Sequence, residues 1–405
     1  MKIIKADYIY IDGEYKRDYA IAFDKRIERV GRFDEIDREY PDVERIICEP
    51  NTILYAGFIN THTHLEFSAN RTKLNYGSFI GWLISVINHR DELMNGCDIE
   101  MIDGAIDEML RSGVTTFGAI SSLGLDLEAS IKAPQRVLFF NELIGSNPES
   151  VDILYQDFMQ RFKSSALNRS SKFIPAVAIH APYSVHPIVI KKALSFVKDN
   201  NLPLTAHLLE SQAEREWLDN STGEFSDFFA KLNQKSSITS VDRFISAFDG
   251  YPTLFSHCVE AREDELLKLK EEGHSIAHCP SSNRLLGCSR LKVERLMELD
   301  LPFSLATDGL SSNYSLNIFD ELRDALMVHN SIDINILSKS LIDSVTSNAG
   351  ESLGLEIGKI QEGYFADFTV IKIPQEPVDS ERLALWTILH TEEADMVFIE
   401  GERYV

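Results

Sequence analysis

Two patterns of apolar and polar residues divide this chain. Near both ends the two kinds of residue alternate, which is typical of half-buried β-strands; the alternating segments lie at 2–31, 365–373 and 394–405. The pair Asp12-Gly13 inside the first segment predicts a hairpin turn. Because the strand-rich ends flank a different middle, we predict one small β-sandwich domain built from both chain termini, residues 1–52 and 356–405.

The middle of the chain repeats short continuous apolar runs with helical patterns between them. The eight runs lie at 53–60, 114–120, 136–144, 173–180, 202–208, 252–258, 274–280 and 301–308. The segments 99–113 and 261–273 have helical patterns, and the second carries acidic residues in its first turn and Gly273 at its end. Eight buried strands alternating with helices predict an α/β fold, a (β/α)8 TIM-type barrel over residues 53–355. An open doubly wound sheet is the alternative, but no glycine-rich phosphate motif follows any run.

Composition limits the kinds of molecule that the protein is expected to bind. The 405 residues include 40 Lys and Arg against 63 Asp and Glu, a net charge of −23, which argues against nucleic acid or a membrane as the main partner. No apolar run approaches the roughly 18–20 residues that span a bilayer, and the first residues lack the features of a signal peptide. Five scattered cysteines predict free thiols in a reducing cytoplasm: Cys48, Cys97, Cys258, Cys279 and Cys288.

Polar residues stand at the ends of the predicted barrel strands, where barrels of this kind carry their chemistry. His62 and His64 have the i, i+2 spacing that places two side chains on one face of a strand. His207 and Asp308 follow two later strands and complete a set of three nitrogens and one oxygen. That set suits one Zn²⁺ per chain, with Fe²⁺ or Mn²⁺ possible.

Three further residues extend this prediction to a reaction. Such an ion lowers the pKa of a bound water from about 15.7 to about 7 and so makes a nucleophile. Glu210, three residues beyond His207, is predicted to face the same cavity and carry protons, while Asp308 accepts a water proton. His257 is placed to hold the hydroxide, and His180 to hydrogen-bond the substrate. This arrangement suits attack on an sp² carbon with loss of ammonia, an amine or halide.

One more histidine needs a separate interpretation. His278 also ends a predicted strand, but it directly precedes Cys279 and Pro280. We predict that it orders a loop and is not a metal ligand.

Five segments carry a resemblance that runs over nearly the whole chain. They are TILYAGFINTHTHLE at 52–66, HLLE at 207–210, SHCV at 256–259, AHCPSSNRLLG at 277–287 and ATDGLSSN at 306–313, with a similar tail at 347–371. The chain resembles the mononuclear chlorohydrolase and deaminase branch of the amidohydrolase superfamily. The resemblance implies a single metal ion and the same roles for His62, His64, His207, Asp308, Glu210, His257 and His180.

Within this branch the chain is most similar to bacterial deaminases of a benzoate-bearing 6-aminopurine nucleoside in menaquinone biosynthesis. Trp82 follows the first barrel strand at a position where members of this branch carry an aromatic residue. Its ring either stacks on the nucleoside or packs in the core. Arg284 either contacts the substrate carboxylate or is only a loop arginine. The predicted function is therefore zinc-dependent hydrolytic deamination of a small purine nucleoside, by a protein that could form a homo-oligomer.

Two other functions stay open at this stage. A related hydrolase could act on adenosine, S-adenosylhomocysteine, methylthioadenosine, guanine or a triazine. A catalytically inactive relative could serve as a scaffold, but such relatives typically lose ligands or the proton-carrying acid, and all of these are present here.

Overall fold

The computed structural model describes residues 1–71, 73–375, 377 and 379–405. Its strands are β1 (Lys2–Lys5), β2 (Tyr8–Ile11), β3 (Glu14–Arg17), β4 (Tyr19–Phe23), β5 (Ile27–Arg32), β6 (Glu44–Ile47), β7 (Thr52–Ala56), β8 (Phe58–Thr63), β9 (Val114–Ser121), β10 (Arg136–Leu143), β11 (Phe173–Ile179), β12 (Leu204–Leu208), β13 (Leu254–His257), β14 (Ser275–His278), β15 (Phe303–Leu305), β16 (Phe368–Lys372), β17 (Met396–Ile399) and β18 (Glu402–Arg403).

The α-helices are α1 (Phe33–Glu39), α2 (Phe79–Gly96), α3 (Ile99–Arg111), α4 (Leu127–Lys132), α5 (Val151–Ala166), α6 (Pro187–Asn200), α7 (Gln212–Asn220), α8 (Glu224–Ala230), α9 (Val241–Ala247), α10 (Glu263–Glu271), α11 (Pro280–Leu285), α12 (Val293–Glu298), α13 (Ile318–Val328), α14 (Ile334–Ser344), α15 (Ser347–Ser352) and α16 (Leu383–His390). Short 3₁₀ turns occupy Leu65–Asn70 and Ser380–Arg382. In the part of the chain so described, no helix is long and apolar enough to cross a membrane.

The middle of the chain forms the predicted barrel. Strands β8 to β15 lie side by side in chain order and pair in parallel, with helices between successive strands. The last strand returns to the first, where the hydroxyls of Thr61 and Ser304 are 2.8 Å apart and Asp308 N donates to His62 O at 3.1 Å. The sheet therefore closes nearly into a cylinder, and its strand ends meet at one mouth.

The first predicted run, 53–60, is wrong as a single barrel strand. Its first half is β7, which pairs with β16 and β2 in the sheet of the chain ends, and its second half is β8. The chain passes between the two sheets at Gly57, where a Cβ atom would lie 2.1 Å from Thr115 Oγ1. Only glycine leaves room for this crossing, and both halves are buried, so the apolar pattern does not reveal the break.

The chain ends form the predicted β-sandwich. One sheet has the order β5-β4-β1-β6 and the other β18-β17-β16-β7-β2-β3, and Ile4, Phe23 and Phe368 share the apolar core between them. The predicted hairpin joins β2 and β3, with Asp12 at φ 48° and Gly13 at φ 78°, as a two-residue turn with two left-handed residues requires. The domain boundaries at 52/53 and 355/356 stay a prediction.

Both helices with clear signals in the sequence are present. The segment 99–113 contains α3, which starts after Asp98, whose side chain accepts from Met101 N at 2.9 Å; the segment 261–273 contains α10. The five cysteines are free, as predicted.

Candidate active site

The four predicted metal ligands converge at the carboxyl ends of the barrel strands. The Nε2 atoms of His64 and His207 are 3.4 Å apart. Asp308 Oδ1 lies 3.7 Å from His62 Nε2 and 3.5 Å from His64 Nε2. Residue 62 lies at the end of β8 and residue 64 directly after it, residue 207 lies in β12, and residue 308 lies in the loop after β15. Barrel closure therefore brings together side chains that are far apart in the sequence. His62 and Asp308, for example, are separated by 246 positions.

The orientation of the imidazoles fits a divalent cation. His207 Nδ1 is 3.1 Å from the carbonyl oxygen of His180, so it carries the proton and leaves a lone pair on Nε2. His62 Nδ1 contacts Ser256 Oγ at 3.0 Å, while its buried Nε2 has no hydrogen-bond partner among the described residues. Inward-facing nitrogen atoms of this kind are costly to bury unless a ligand satisfies them.

Asp308 is held on its outer side by hydroxyl groups. Its Oδ2 accepts from Ser282 Oγ at 2.7 Å and from Ser312 Oγ at 3.0 Å, and Gly309 N donates to Oδ1 at 2.9 Å. Burial alone would raise the pKa of the Asp308 carboxyl, but the facing imidazoles, that of His64 first, hold it below its ordinary value. The two serines were not predicted, although each lies in a Ser-Ser-Asn motif, at 281–283 and 311–313.

Glu210 and His257 face each other beside this cluster. Glu210 Oε1 is 3.7 Å from His257 Nε2. Glu210 lies in the loop between β12 and α7, so a loop and not a helix turns its side chain towards the cavity. Glu214 fixes this loop by accepting from the backbone N–H groups of Leu209 and Glu210, at 3.0 and 2.9 Å. Burial, followed by the charges of Asp308 and Glu214, raises the pKa of Glu210 well above its ordinary value.

Left-handed backbone conformations cluster around these residues. The φ angles are 52° at Leu209, 74° at His257, 53° at Cys258 and 58° at Asp308. Such angles are uncommon outside glycine and cost free energy that surrounding structure must supply. They turn the chain sharply where the strands end. Gly309 allows the last of these turns, because a Cβ there would lie 2.8 Å from His64 Cβ.

His180 lies beside His207. The two ring centroids are 5.0 Å apart, and His180 Nδ1 contacts Ser184 Oγ at 2.6 Å. Burial, with the nearby charges of His64 and His257, lowers the pKa of His180 to about 3, so its ring is neutral at physiological pH. Glu142 at the end of β10 was not predicted; its Oε1 is 3.9 Å from His207 Nδ1. Only its position at a strand end could have pointed to it.

The remaining predicted residues lie in the surrounding loops. Trp82 on α2 donates from Nε1 to Ser311 O at 2.9 Å, and its ring is 5.6 Å from that of Phe79. Arg284 on α11 is exposed, and its guanidinium makes no ion pair with any residue that the structure describes. The structure brings neither into contact with the ligand cluster.

His278 contacts a histidine outside the ligand cluster. Its Nε2 is 2.8 Å from Nε2 of His329, the residue that follows α13. The ring therefore joins the end of a barrel strand to the end of an outer helix; that His278 does not bind the ion stays a prediction.

Comparison with known proteins shows which sequences and structures this chain is similar to. The model of the amidohydrolase family matches residues 53–404. The aminodeoxyfutalosine deaminase of a Nitratiruptor species is 42% identical over 406 residues, which cover 100% of each chain. The crystal structure of Helicobacter pylori aminofutalosine deaminase in complex with methylthio-coformycin has a TM-score of 0.95 and 33% identity, again over 100% of both chains.

A more distant structure shares the fold. An adenosine deaminase from Xanthomonas campestris with bound zinc has a TM-score of 0.83 at 21% identity, covering 99% of this chain and 92% of its own.

Proposed function

Since this chain belongs to the amidohydrolase family, we propose that it is a metal-dependent aminohydrolase that deaminates aminodeoxyfutalosine. The reaction replaces the 6-amino group of the purine by oxygen and releases ammonia. The observation that carries this proposal is the convergence of three imidazole nitrogens and one carboxylate beside a second, buried carboxyl group of raised pKa. The similarity to aminodeoxyfutalosine deaminase over the full chain supports the choice of substrate.

His62, His64, His207 and Asp308 would hold one ion, for which we propose Zn²⁺, with Fe²⁺ as the alternative. When bound, such an ion lowers the pKa of water to about 7 and so provides the nucleophile at neutral pH. The inward-facing nitrogen lone pairs and the serine-held carboxylate support this assignment.

Glu210 moves the first proton. Negative charge builds on the purine when oxygen adds at C6 unless the adjacent ring nitrogen is protonated. The raised pKa of Glu210 suits it to take a proton from the attacking water and deliver it to that nitrogen. His257, 3.7 Å from Glu210 Oε1, holds the attacking water in place.

Asp308 and His180 complete the proposed reaction. The outer oxygen of Asp308 is occupied by two serine hydroxyls, so Oδ1 is the oxygen that would pass the second proton to the departing amine. His180, neutral and beside His207, would hydrogen-bond the purine and hold C6 over the nucleophile.

The benzoate of the substrate requires a local positive charge, because the protein as a whole carries −23. Arg284 is exposed on the helix that also carries Ser282, and it has no ion-pair partner in the described part of the chain. We assign the benzoate to Arg284. Trp82, anchored by its contact with Ser311, is the proposed stacking partner of the nucleoside.

The test is ammonia release by the purified, metal-loaded protein on aminodeoxyfutalosine, adenosine, guanine and a triazine. We expect kcat/KM for aminodeoxyfutalosine to exceed that for adenosine by about tenfold or more, as one good charged contact supplies. Equal values would show that the benzoate is not recognised, and no release from any of the four would overturn the proposal.

Arg284→Ala examines the benzoate contact separately. It should raise KM for aminodeoxyfutalosine and leave adenosine unaffected. Arg169→Ala, an exposed arginine between α5 and β11, is the control and should change neither. Equal losses on both substrates after Arg284→Ala would make this arginine structural.

A further inference from the structure

A buried amide lies behind His257, on the side away from Glu210. Asn283 Nδ2 is 3.1 Å from His257 Nδ1, and the two residues are 2% and 0% exposed. Asn283 belongs to α11, where its backbone N–H donates to Cys279 O at 3.0 Å and its carbonyl accepts from Cys288 N at 2.9 Å. Its side chain is therefore held against the imidazole from a fixed backbone.

Glu321 explains why this short helix stays in place. The buried Glu321 on α13 accepts from Ser281 N at 3.0 Å and from Asn313 Nδ2 at 2.8 Å. One carboxylate thus connects the loops after β14 and β15. The segments after these two strands, including α11, carry Ser282 and Ser312, which hold Asp308, as well as Asn283, which contacts His257.

The surroundings of His257 decide which ring nitrogen carries the proton. Its Nε2 faces Glu210 Oε1 at 3.7 Å, and a carboxylate oxygen of Asp308 lies within 4.8 Å in the same group. Two carboxylates favour an N–H at Nε2, since they accept hydrogen bonds. Nδ1 then has a lone pair, and the group that can satisfy it is the NH₂ of Asn283, which is a donor.

We propose that Asn283 is a positioning residue that donates to His257 Nδ1 and so keeps the proton of the imidazole on Nε2. His257 then presents an N–H to the space beside Glu210. An N–H holds a water molecule by its oxygen and leaves the hydrogen atoms of the water free to face the carboxylate. A bare Nε2 would instead accept one of those hydrogen atoms and compete with Glu210. The kinetic consequence rests on the proposed function, whereas the position of the proton does not.

Two variants and one control test this inference. Asn283→Asp keeps the shape but replaces the donor by an acceptor, and Asn283→Ala removes the contact. Ser281→Ala is the matched control on the same helix as Asn283. The Ser281 hydroxyl contacts Asp324 Oδ2 on α13 at 2.6 Å and makes no hydrogen bond to His257 or Asp308 in the described part of the chain. Circular dichroism and thermal unfolding identify the variants that remain folded.

The first readout is the ¹⁵N NMR spectrum of substrate-free, metal-loaded protein labelled at histidine, with the His257 signals identified from His257→Gln. We expect Nε2 to be protonated and Nδ1 unprotonated in the natural protein and in Ser281→Ala, and Nδ1 to become protonated in Asn283→Asp. A natural protein with the proton on Nδ1 of His257 would overturn the proposal.

The second readout is steady-state kinetics with aminodeoxyfutalosine. Both Asn283 variants should lower kcat by about 10–100-fold, as typical for residues that orient a functional histidine, with little change in KM, while Ser281→Ala stays near the natural protein. An unchanged kcat in Asn283→Asp, or an equal loss in Ser281→Ala, would overturn it. If Asn283→Ala does not fold, the isosteric Asn283→Asp decides. Absence of turnover in the natural protein would refute the proposed function and leave the NMR result standing.

Discussion

At the amino-terminal end of the barrel, the buried charge of Arg136 is paired, whereas at the carboxyl end buried nitrogen atoms face a common space without partners. Arg136 at the start of β10 lies 3.2 Å from Asp367 Oδ2 and 3.4 Å from Glu400 Oε1, and its guanidinium is 4.0 Å from the centre of the Phe365 ring. By contrast, the buried Nε2 atoms of His62 and His257 have no hydrogen-bond partner in the described part of the chain.

This difference separates a structural from a functional use of buried polar groups. A charge removed from water is stable only when its partners replace the lost hydration, and the sandwich supplies those partners for Arg136. The ring nitrogen atoms of His62 and His257 instead face one common space, where a single ligand can complete them. Substitutions at the two ends should therefore damage different properties, namely stability at one and chemistry at the other.

The largest expected effect is loss of the ion. Asp308→Ala or His62→Ala should remove the metal and abolish turnover, because each removes one of four ligands of a single site. Elemental analysis of the purified protein should find about one ion per chain in the natural protein and far less in the variants. Two ions per chain in the natural protein would contradict the mononuclear site.

The next effect is loss of the proton carrier. Glu210→Gln should retain the metal and the fold, since Gln has the same shape and no ligand changes. The rate should fall by at least about 10²–10⁴-fold, as expected for a lost general acid–base group. Steady-state kinetics together with elemental analysis measure both properties, and near-normal turnover would remove Glu210 from the mechanism.

At the other end of the barrel, Arg136→Met should lower the free energy of unfolding by about 3–5 kcal/mol, because it leaves buried carboxylates without their cation. Denaturant titration measures the loss, and the folded variant should retain its metal and kcat. Arg243→Met, at an exposed position of α9, is the control. A large fall in kcat at full folding would show that the two ends are not independent.

The smallest effect concerns pH. His274, just before β14, accepts from Thr253 N at 3.2 Å, and burial lowers its pKa from 6.5 to about 4. The unfolded chain therefore binds a proton at higher pH than the folded chain, so this contribution to stability is complete above about pH 6.5 and is lost as the pH falls towards 4.

His274→Asn should flatten this dependence by on the order of 1 kcal/mol between pH 6.5 and 4. Denaturant titrations at several pH values measure the slope. His390→Asn, at an exposed position at the end of α16, should leave it unchanged, and equal slopes in the natural protein and His274→Asn would exclude this histidine as a source of acid sensitivity.

The order of the barrel strands could be predicted because each is a continuous apolar run followed by polar residues, and each sits near its predicted position. The crossing at Gly57 could not be predicted, because 53–56 and 58–60 are equally buried although they belong to different sheets. Apolar periodicity reports burial, and it does not report which sheet a strand joins.

The barrel, the sandwich of the two ends and the candidate ligands could all be predicted from residue patterns, because His-Thr-His and the other polar strand ends are local features that topology brings to one mouth. The contacts that orient these ligands emerge only in the folded chain. The contacts from Ser282 to Asp308 and from Asn283 to His257 each span 26 positions, and the left-handed turns at His257 and Asp308 appear in no residue pattern. Such contacts depend on how loops from neighbouring strands close over one another, and that geometry exists only once the barrel has closed.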